Sequence, residues 1–530
     1  MERYDLVVIG GGIQGAGITR DAALRGLRTI LFEKGDLAGG TSSRTSRLVH
    51  GGIRYLENLR FGLVKEALAE RALLLALAPH LVEPLPFLLP YYKKSPRPRW
   101  YLRAGLVLYR ALARGHAVGP TRSLSARRAL ELEPKLPADG LLGAGLYGDA
   151  EMDDARLCLE NALDAAALGA DIRTHHEVIA IERAQGMVRV RARDVLAPDG
   201  EAFEVEALAA VNAAGAWADR VRERAGVKRA RSVRASRGVH VIVPALTTKH
   251  ALVLTAQQDR RVFFVIPSPR GSLVGTTEAE YPGNPDECVV TVSDVRYLIE
   301  EVRRRWPGVV QFPEHVRHAY AGLRPLVRSR GTLRAASRES RLIAENGLFT
   351  VIGGKYTTYR AVSEHALDRV LKTLGKTAHA CSTRERPLPG AGAGGRAQAA
   401  QAARERALEL KNVGNDDATR LGARYGGLAN GALLLAEQFP RVHERAGVRV
   451  LEGEVVYSIR HEMARRLDDV ILRRLGFGDE RLGAKLAAVP VGLWMAEHLG
   501  WSRARTQEEV ERVESQLDVE DKVIVGALQR

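Results

Sequence analysis

Cysteine is scarce, with three in 530 residues. Cys158, Cys288 and Cys381 are far apart and odd in number. That excludes a disulfide framework and a thiol metal site, and it suits a reducing compartment. No uninterrupted apolar run approaches the roughly 20 residues that cross a bilayer. The first strand-like run begins almost at the N-terminus, so no signal peptide is expected. Zinc-finger spacing, an aromatic RNA-binding signature, a basic low-complexity tail and internal repeats are all missing, which makes nucleic acid the weakest of the possible anionic partners. His461-Glu462-Met463-Ala464-Arg465 lacks the second histidine of a zinc motif, so no metal is expected. Acidic side chains are absent from residues 91–115, where seven Lys and Arg alternate with Trp100, Tyr101, Leu106, Val107 and Tyr109. Such a segment fits either a solvated basic helix over a core or an interfacial anchor on anionic lipid.

What is present is an ordinary globular composition, 45% hydrophobic and 27% charged, in a chain long enough for two or three domains. The formal net charge of +16 favours anionic partners. Residues 5–33 organise the rest. The apolar run 6–9 leads into Gly10-Gly11-Gly12-Ile13-Gln14-Gly15, a helical stretch follows, and residues 29–32 form a second strand ending on Glu33. This is a strand–helix–strand unit carrying G-x-G-x-x-G. Gly10 permits the tight turn, Gly12 admits a pyrophosphate, and Gly15 lets the helix close on the strand. Glu33 stands eighteen positions after Gly15 and can accept from ribose hydroxyls, while repelling a 2′-phosphate. The unit predicts a dinucleotide site and leaves NAD and FAD undecided.

The next loop contains Thr41-Ser42-Ser43 and then Leu48-Val49-His50-Gly51-Gly52-Ile53-Arg54-Tyr55-Leu56. Placed just after the acidic ribose residue, this pattern resembles the FAD-dependent, aerobic, quinone-linked glycerol-3-phosphate dehydrogenases. The resemblance runs to about residue 385 and is looser beyond. It includes Ala214-Gly215-Ala216-Trp217 and the strand–glycine–helix unit Gly353-Gly354-Lys355-Tyr356-Thr357-Thr358. It implies that FAD is held by Gly10, Gly12, Ile13, Gln14, Gly15, Glu33, Lys34, Thr41, Ser42, Ser43, Ser46, Leu48, His50, Gly51, Ala214, Gly215, Trp217, Gly354, Lys355, Thr357 and Thr358. It further implies a substrate, glycerol 3-phosphate, bound by Arg54, Tyr55, Thr276, Thr277, Arg324, Arg338 and Lys355. A membrane quinone as acceptor, a homodimer, and peripheral attachment to the inner face of the cell membrane belong to the same expectation. Arg44 and Arg47 are departures from the family's loop.

The fold expected is α/β, a Rossmann-like FAD-binding domain with an inserted antiparallel β substrate domain and a C-terminal helical domain. Residues 1–90, 150–235 and 342–385 are assigned to the first, 91–149 and 236–341 to the second, and 397–530 to the third. Residues 79–90 read as a proline-broken connection, 202–208 and 209–217 as separate segments, and 387–395 as a linker.

Oxidising a secondary alcohol with a flavin requires the C–H aimed at the ring, a proton acceptor and an anchor for the remaining substrate. A phosphate anchor calls for Arg and Lys. His50 and His240 are the natural bases by their ordinary pKa, and Arg324 and Lys355 complete the expected catalytic set. The alternatives are a glycerol-3-phosphate oxidase using oxygen, another FAD enzyme of the superfamily, and a nucleotide-binding regulator without redox activity.

Overall fold

The structure, a computed structural model, describes residues 1–197, 200, 202–228, 231–329 and 339–529. Arg338 lies outside the described residues. The opening unit forms as expected: strand Glu2–Ile9, helix Ile13–Leu24, strand Thr29–Phe32. Residues 6–9 are buried: Leu6 and Val8 pack among residues of helix Ile13–Leu24 and its neighbours, and Val7 and Ile9 pack with Val178, Ile181, Val188 and Val190 of an antiparallel pair of strands. The first sheet runs Arg341–Glu345, Leu348–Ile352, Ala202–Asn212, Glu2–Ile9, Thr29–Phe32, Asp171–Arg173. Its central pairs are parallel, so the carboxyl ends of four strands open onto one edge, where ligands of such sheets bind.

Three local readings change. Residues 202–212 are one strand, Ala202–Asn212, pairing antiparallel with Met187–Asp194 at its start and parallel with Glu2–Ile9 further along. Its first half is partly exposed and its second half buried, so its residue pattern looks like two elements. The proline-rich stretch is a strand too, Val82–Tyr92, in the second sheet and paired along its length with Leu141–Met152. Pro84, Pro86 and Pro90 are an even number of residues apart, so their missing N–H groups all fall on one edge of the strand. The stretch 387–395 is packed rather than free. It contains the short turn Pro389–Ala393, Gly390 N–H donates to Glu160, and a side chain at Gly390 would run into the His80 ring.

The second sheet places Val233–Val243 between His318–Val327 and Gly271–Gly275. Gly238, His240, Thr276 and Arg324 therefore come from three neighbouring strands or their ends. The expected helix near residue 63 spans Phe61–Leu77, and the basic one spans Arg99–Leu112. On the latter, Leu106 and Tyr109 face the core while Trp100 and Val107 are 70% and 65% exposed beside Arg103 and Arg110. No helix among the described residues is long and apolar enough to cross a membrane.

Beyond residue 395 the chain is mainly helical, with a hairpin Val442–Arg445 and Val448–Leu451 that the composition did not disclose. The helical part grips the cofactor unit through buried ion pairs. Asp36 is bound by Arg473 and Arg474, and Arg156 by Glu462, while a hydrogen bond of 2.9 Å joins the His175 ring to Asp469. Removing one partner of such a pair leaves an uncompensated buried charge, at a cost of about 3–5 kcal/mol.

Candidate active site

The carboxyl edge of the first sheet opens into a cavity of about 1250 Å³, which extends under the second sheet and reaches the C-terminal helices. At one end stands the glycine motif. Gly10 has φ +109°, a conformation that favours glycine, and a Cβ on Gly15 would sit 1.8 Å from the Gly10 carbonyl oxygen. A Cβ on Gly12 would meet only Ser42 Oγ, at 3.2 Å, so open space lies above it at the helix N-terminus. Ser42 Oγ accepts from Ile13 N–H at 2.9 Å. Glu33 accepts from Gly11 N–H at 2.6 Å and Gly35 N–H at 2.8 Å; burial nonetheless lifts its carboxyl above the ordinary range. The positive end of a helix, a glycine cradle and a fixed carboxylate fit the pyrophosphate and ribose of FAD.

Further along, the cavity is walled by Ser46, Leu48, His50, Arg54, Tyr55, His240, Thr276, Arg324, Gly354, Lys355 and Thr357. Gln14, Lys34, Thr41, Ala214, Gly215 and Trp217 line it as well. Arg324 donates to Thr276 Oγ1 at 2.9 Å. Lys355 Nζ lies 3.9 Å from the centre of the Tyr55 ring. His50 N–H donates to Thr357 Oγ1 at 3.2 Å, tying the first loop to the closing segment. His240 Nε2 is 2.8 Å from Ser46 Oγ, and its ring stacks on Tyr320 at 5.0 Å. Burial first, then the charges of Arg324 and Arg47, hold the His240 imidazole down at about 3, so it is neutral at physiological pH.

Five of the expected residues face elsewhere. Gly15 packs under the motif, and a Cβ on Gly51 would strike Leu68 and the Tyr109 hydroxyl. The Gly51 N–H donates to Asp149, Ser43 Oγ donates to Ala38 O, and Thr277 Oγ1 accepts from Val239 N–H. Thr358 is buried at the head of helix Tyr359–Leu374. Short polar residues next to a ligand loop are as often consumed by the loop's own turns as by the ligand.

The structure adds residues that the sequence did not single out. A Cβ on Gly238 would fall 2.4 Å from the Arg324 guanidinium, so this glycine gives the arginine its resting place. Asp286 gathers Lys34, Trp217 Nε1 and Arg220 at the outer rim. Arg466, Arg473 and Arg512 bring the C-terminal helices to the cavity wall. The glycine beside a β-strand histidine was the one readable signal. The helical contributions lie hundreds of residues away, with no local pattern.

Comparison with known proteins agrees with this geometry. Residues 5–360 match the family model "FAD dependent oxidoreductase", and residues 381–506 match "C-terminal domain of alpha-glycerophosphate oxidase". A glycerol-3-phosphate dehydrogenase of Synechocystis is 33% identical over 96% of this chain and 95% of its own length. One from Pseudomonas aeruginosa is 36% identical over 90% of this chain and 92% of its own. The solved glycerol-3-phosphate dehydrogenase of Bacillus halodurans, complexed with FAD, superposes with a TM-score of 0.80 at 29% identity, covering 100% of this chain and 96% of that one. An L-α-glycerophosphate oxidase from Mycoplasma pneumoniae shares the fold over 73% of this chain and all of its own, with a TM-score of 0.57 at 20% identity. The chain belongs to the family of FAD-dependent glycerol-3-phosphate dehydrogenases.

Proposed function

We propose that the protein oxidises sn-glycerol 3-phosphate to dihydroxyacetone phosphate and passes the electrons to a membrane quinone. The observation that carries the substrate reading is that Arg54, Tyr55, Thr276, Arg324 and Lys355, from four distant segments, line the same cavity as the glycine motif, with Arg324 bound to Thr276 and Lys355 over Tyr55. A small dianion is what such a set attracts and orients. FAD, when bound, accepts the hydride from the substrate carbon. Arg324 and Lys355 bind the phosphate, Arg54 and Tyr55 complete that wall, and Thr276 holds the Arg324 fork in place. His240, neutral and on the cavity wall, is assigned as the acceptor of the hydroxyl proton; His50 is held at the backbone by Thr357 and closes the other side. Gly12, Ser42 and Glu33 hold the cofactor's phosphate and ribose. Arg338 is assigned to the phosphate side on its motif alone.

The quinone reading rests on the family and on the exposed Trp100 and Val107 amid the cations of helix Arg99–Leu112. Exposed aromatic and aliphatic residues beside Arg favour an anionic interface, and a peripheral homodimer on the inner membrane face is part of the same proposal. Electron acceptance tests it directly. With glycerol 3-phosphate in air, a water-soluble quinone should be reduced with little hydrogen peroxide; peroxide in equal amount to substrate oxidised would make the protein an oxidase. Anionic vesicles should sediment the wild type and release a Trp100→Ser, Val107→Ser variant, whereas equal retention of the two would reject this helix as the attachment site.

A further inference from the structure

Asp479 belongs to the C-terminal helical region, in the short turn Phe477–Asp479, yet its carboxylate clasps both terminal nitrogens of Arg47 in the flavin loop. A two-pronged Arg–carboxylate pair fixes direction as well as distance. Arg47 has φ +55°, a left-handed backbone that costs a non-glycine residue about 1–2 kcal/mol. Its neighbours are fixed from several sides. Arg47 N–H donates to Thr45 Oγ1 at 2.8 Å, and Met152 N–H donates to Arg47 O at 2.9 Å. Thr45 Oγ1 in turn donates to Asp154 at 2.7 Å, and the Tyr320 hydroxyl donates to Thr45 O at 2.6 Å.

Ser46 sits between these two anchored residues. Its hydroxyl is the group of this tripeptide that reaches His240, at 2.8 Å. The imidazole has no slack elsewhere: it lies on Tyr320, and a Cβ on Gly275 would approach its ring carbon to 2.1 Å. His240 Nδ1 has no hydrogen-bond partner among the described residues, so the contact with Ser46 is the hydrogen bond that orients the ring.

We propose that Asp479 is a positioning residue for the reaction. By gripping Arg47 it holds Ser46 against His240, and so the helical region sets the active-site imidazole although it contributes nothing to the phosphate anchor. The proposal rests on the reading of His240 as proton acceptor.

The test is the single-turnover rate of flavin reduction by glycerol 3-phosphate without oxygen, measured on holoenzyme of determined flavin content. Asp479→Asn and Ser46→Ala should each slow reduction roughly 10- to 100-fold, the scale of a misplaced catalytic group. In Asp479→Asn the flavin content should stay at the wild-type level and the substrate concentration for half-maximal rate within a few-fold. The double variant should be no slower than the slower single one, because both act through the same contact. Asp479→Glu should recover most of the rate. Multiplying effects in the double variant would overturn the proposal, as would an undiminished rate in Asp479→Asn holoenzyme. Loss of flavin or of fold in Asp479→Asn and Asp479→Glu alike, with Ser46→Ala at full rate, would also overturn it. His240→Gln separates the underlying reading. A full rate there removes the proton-acceptor role, whereas a slow His240→Gln with a fast Asp479→Asn leaves that role and removes this proposal.

Discussion

Lys355 Nζ stands 3.9 Å over the Tyr55 ring, joining two segments three hundred residues apart on the wall of the cavity. The cation is thereby held on a desolvated wall where a phosphate gains most from it. Lys355→Met should raise the KM for glycerol 3-phosphate and lower kcat/KM roughly 10- to 150-fold, the value of a charge-assisted contact of about 1.5–3 kcal/mol. Steady-state kinetics checks it, with bound flavin measured in parallel. A kcat/KM within twofold of wild type would remove Lys355 from the substrate site.

Gly12 and Gly15 give opposite failures. A methyl group at Gly15 would be driven into the Gly10 carbonyl at 1.8 Å, whereas one at Gly12 meets only Ser42 Oγ at 3.2 Å. Gly12→Ala should therefore fold with wild-type circular dichroism and emerge without flavin, because its methyl group occupies the pyrophosphate's place. Gly15→Ala should lose helix–strand packing and unfold at lower temperature. Flavin-replete Gly12→Ala protein would contradict the cradle.

Gly238→Ala is a gentler probe of the anchor. Its Cβ would meet the end of the Arg324 side chain at 2.4 Å, a flexible neighbour that can move aside. The variant should keep its fold and flavin and lose roughly 10- to 100-fold in kcat/KM, as a displaced positioning group does. Arg324→Ala should lose more. Unchanged kinetics in both variants would detach Arg324 from the reaction.

The opening unit and the two loops carrying the site motifs were legible because their chemistry is local: glycines at fixed spacing, an acid at a strand end, a long run around His50 and Arg54. The strand Val82–Tyr92 was not, since three prolines read as a break unless one knows that a single edge carries all three. Thr277 and Ser43 were indistinguishable from ligand residues in sequence, and only the backbone partners that consume them tell them apart. The clasps of Asp36 by Arg473 and Arg474, and of Arg47 by Asp479, join residues more than four hundred positions apart and leave no trace in periodicity.

His240 makes a pH-dependent signature. Its folded-state pKa, about 3, lies below the ordinary histidine value of about 6.5. Between those values the unfolded chain binds the extra proton, so stability rises with pH and is lost as pH falls from about 6.5 toward 3. At pH 5 the contribution of this residue is a loss of about 2 kcal/mol relative to neutral pH. His240→Gln removes that term. Thermal unfolding of flavin-loaded protein should then show the variant gaining on wild type as the buffer goes from pH 7 to pH 5. A constant difference in Tm would place the imidazole in a more solvated setting.

The most direct test of the account is the visible spectrum of the purified protein, taken without oxygen, before and after glycerol 3-phosphate and, separately, glycerol. The expected result is a flavin band that bleaches with the phosphate ester and is unchanged by glycerol, since Arg324 and Lys355 have nothing to hold on the alcohol alone. A flavin band indifferent to both, or bleached equally by both, would contradict the cationic site as the origin of the reaction.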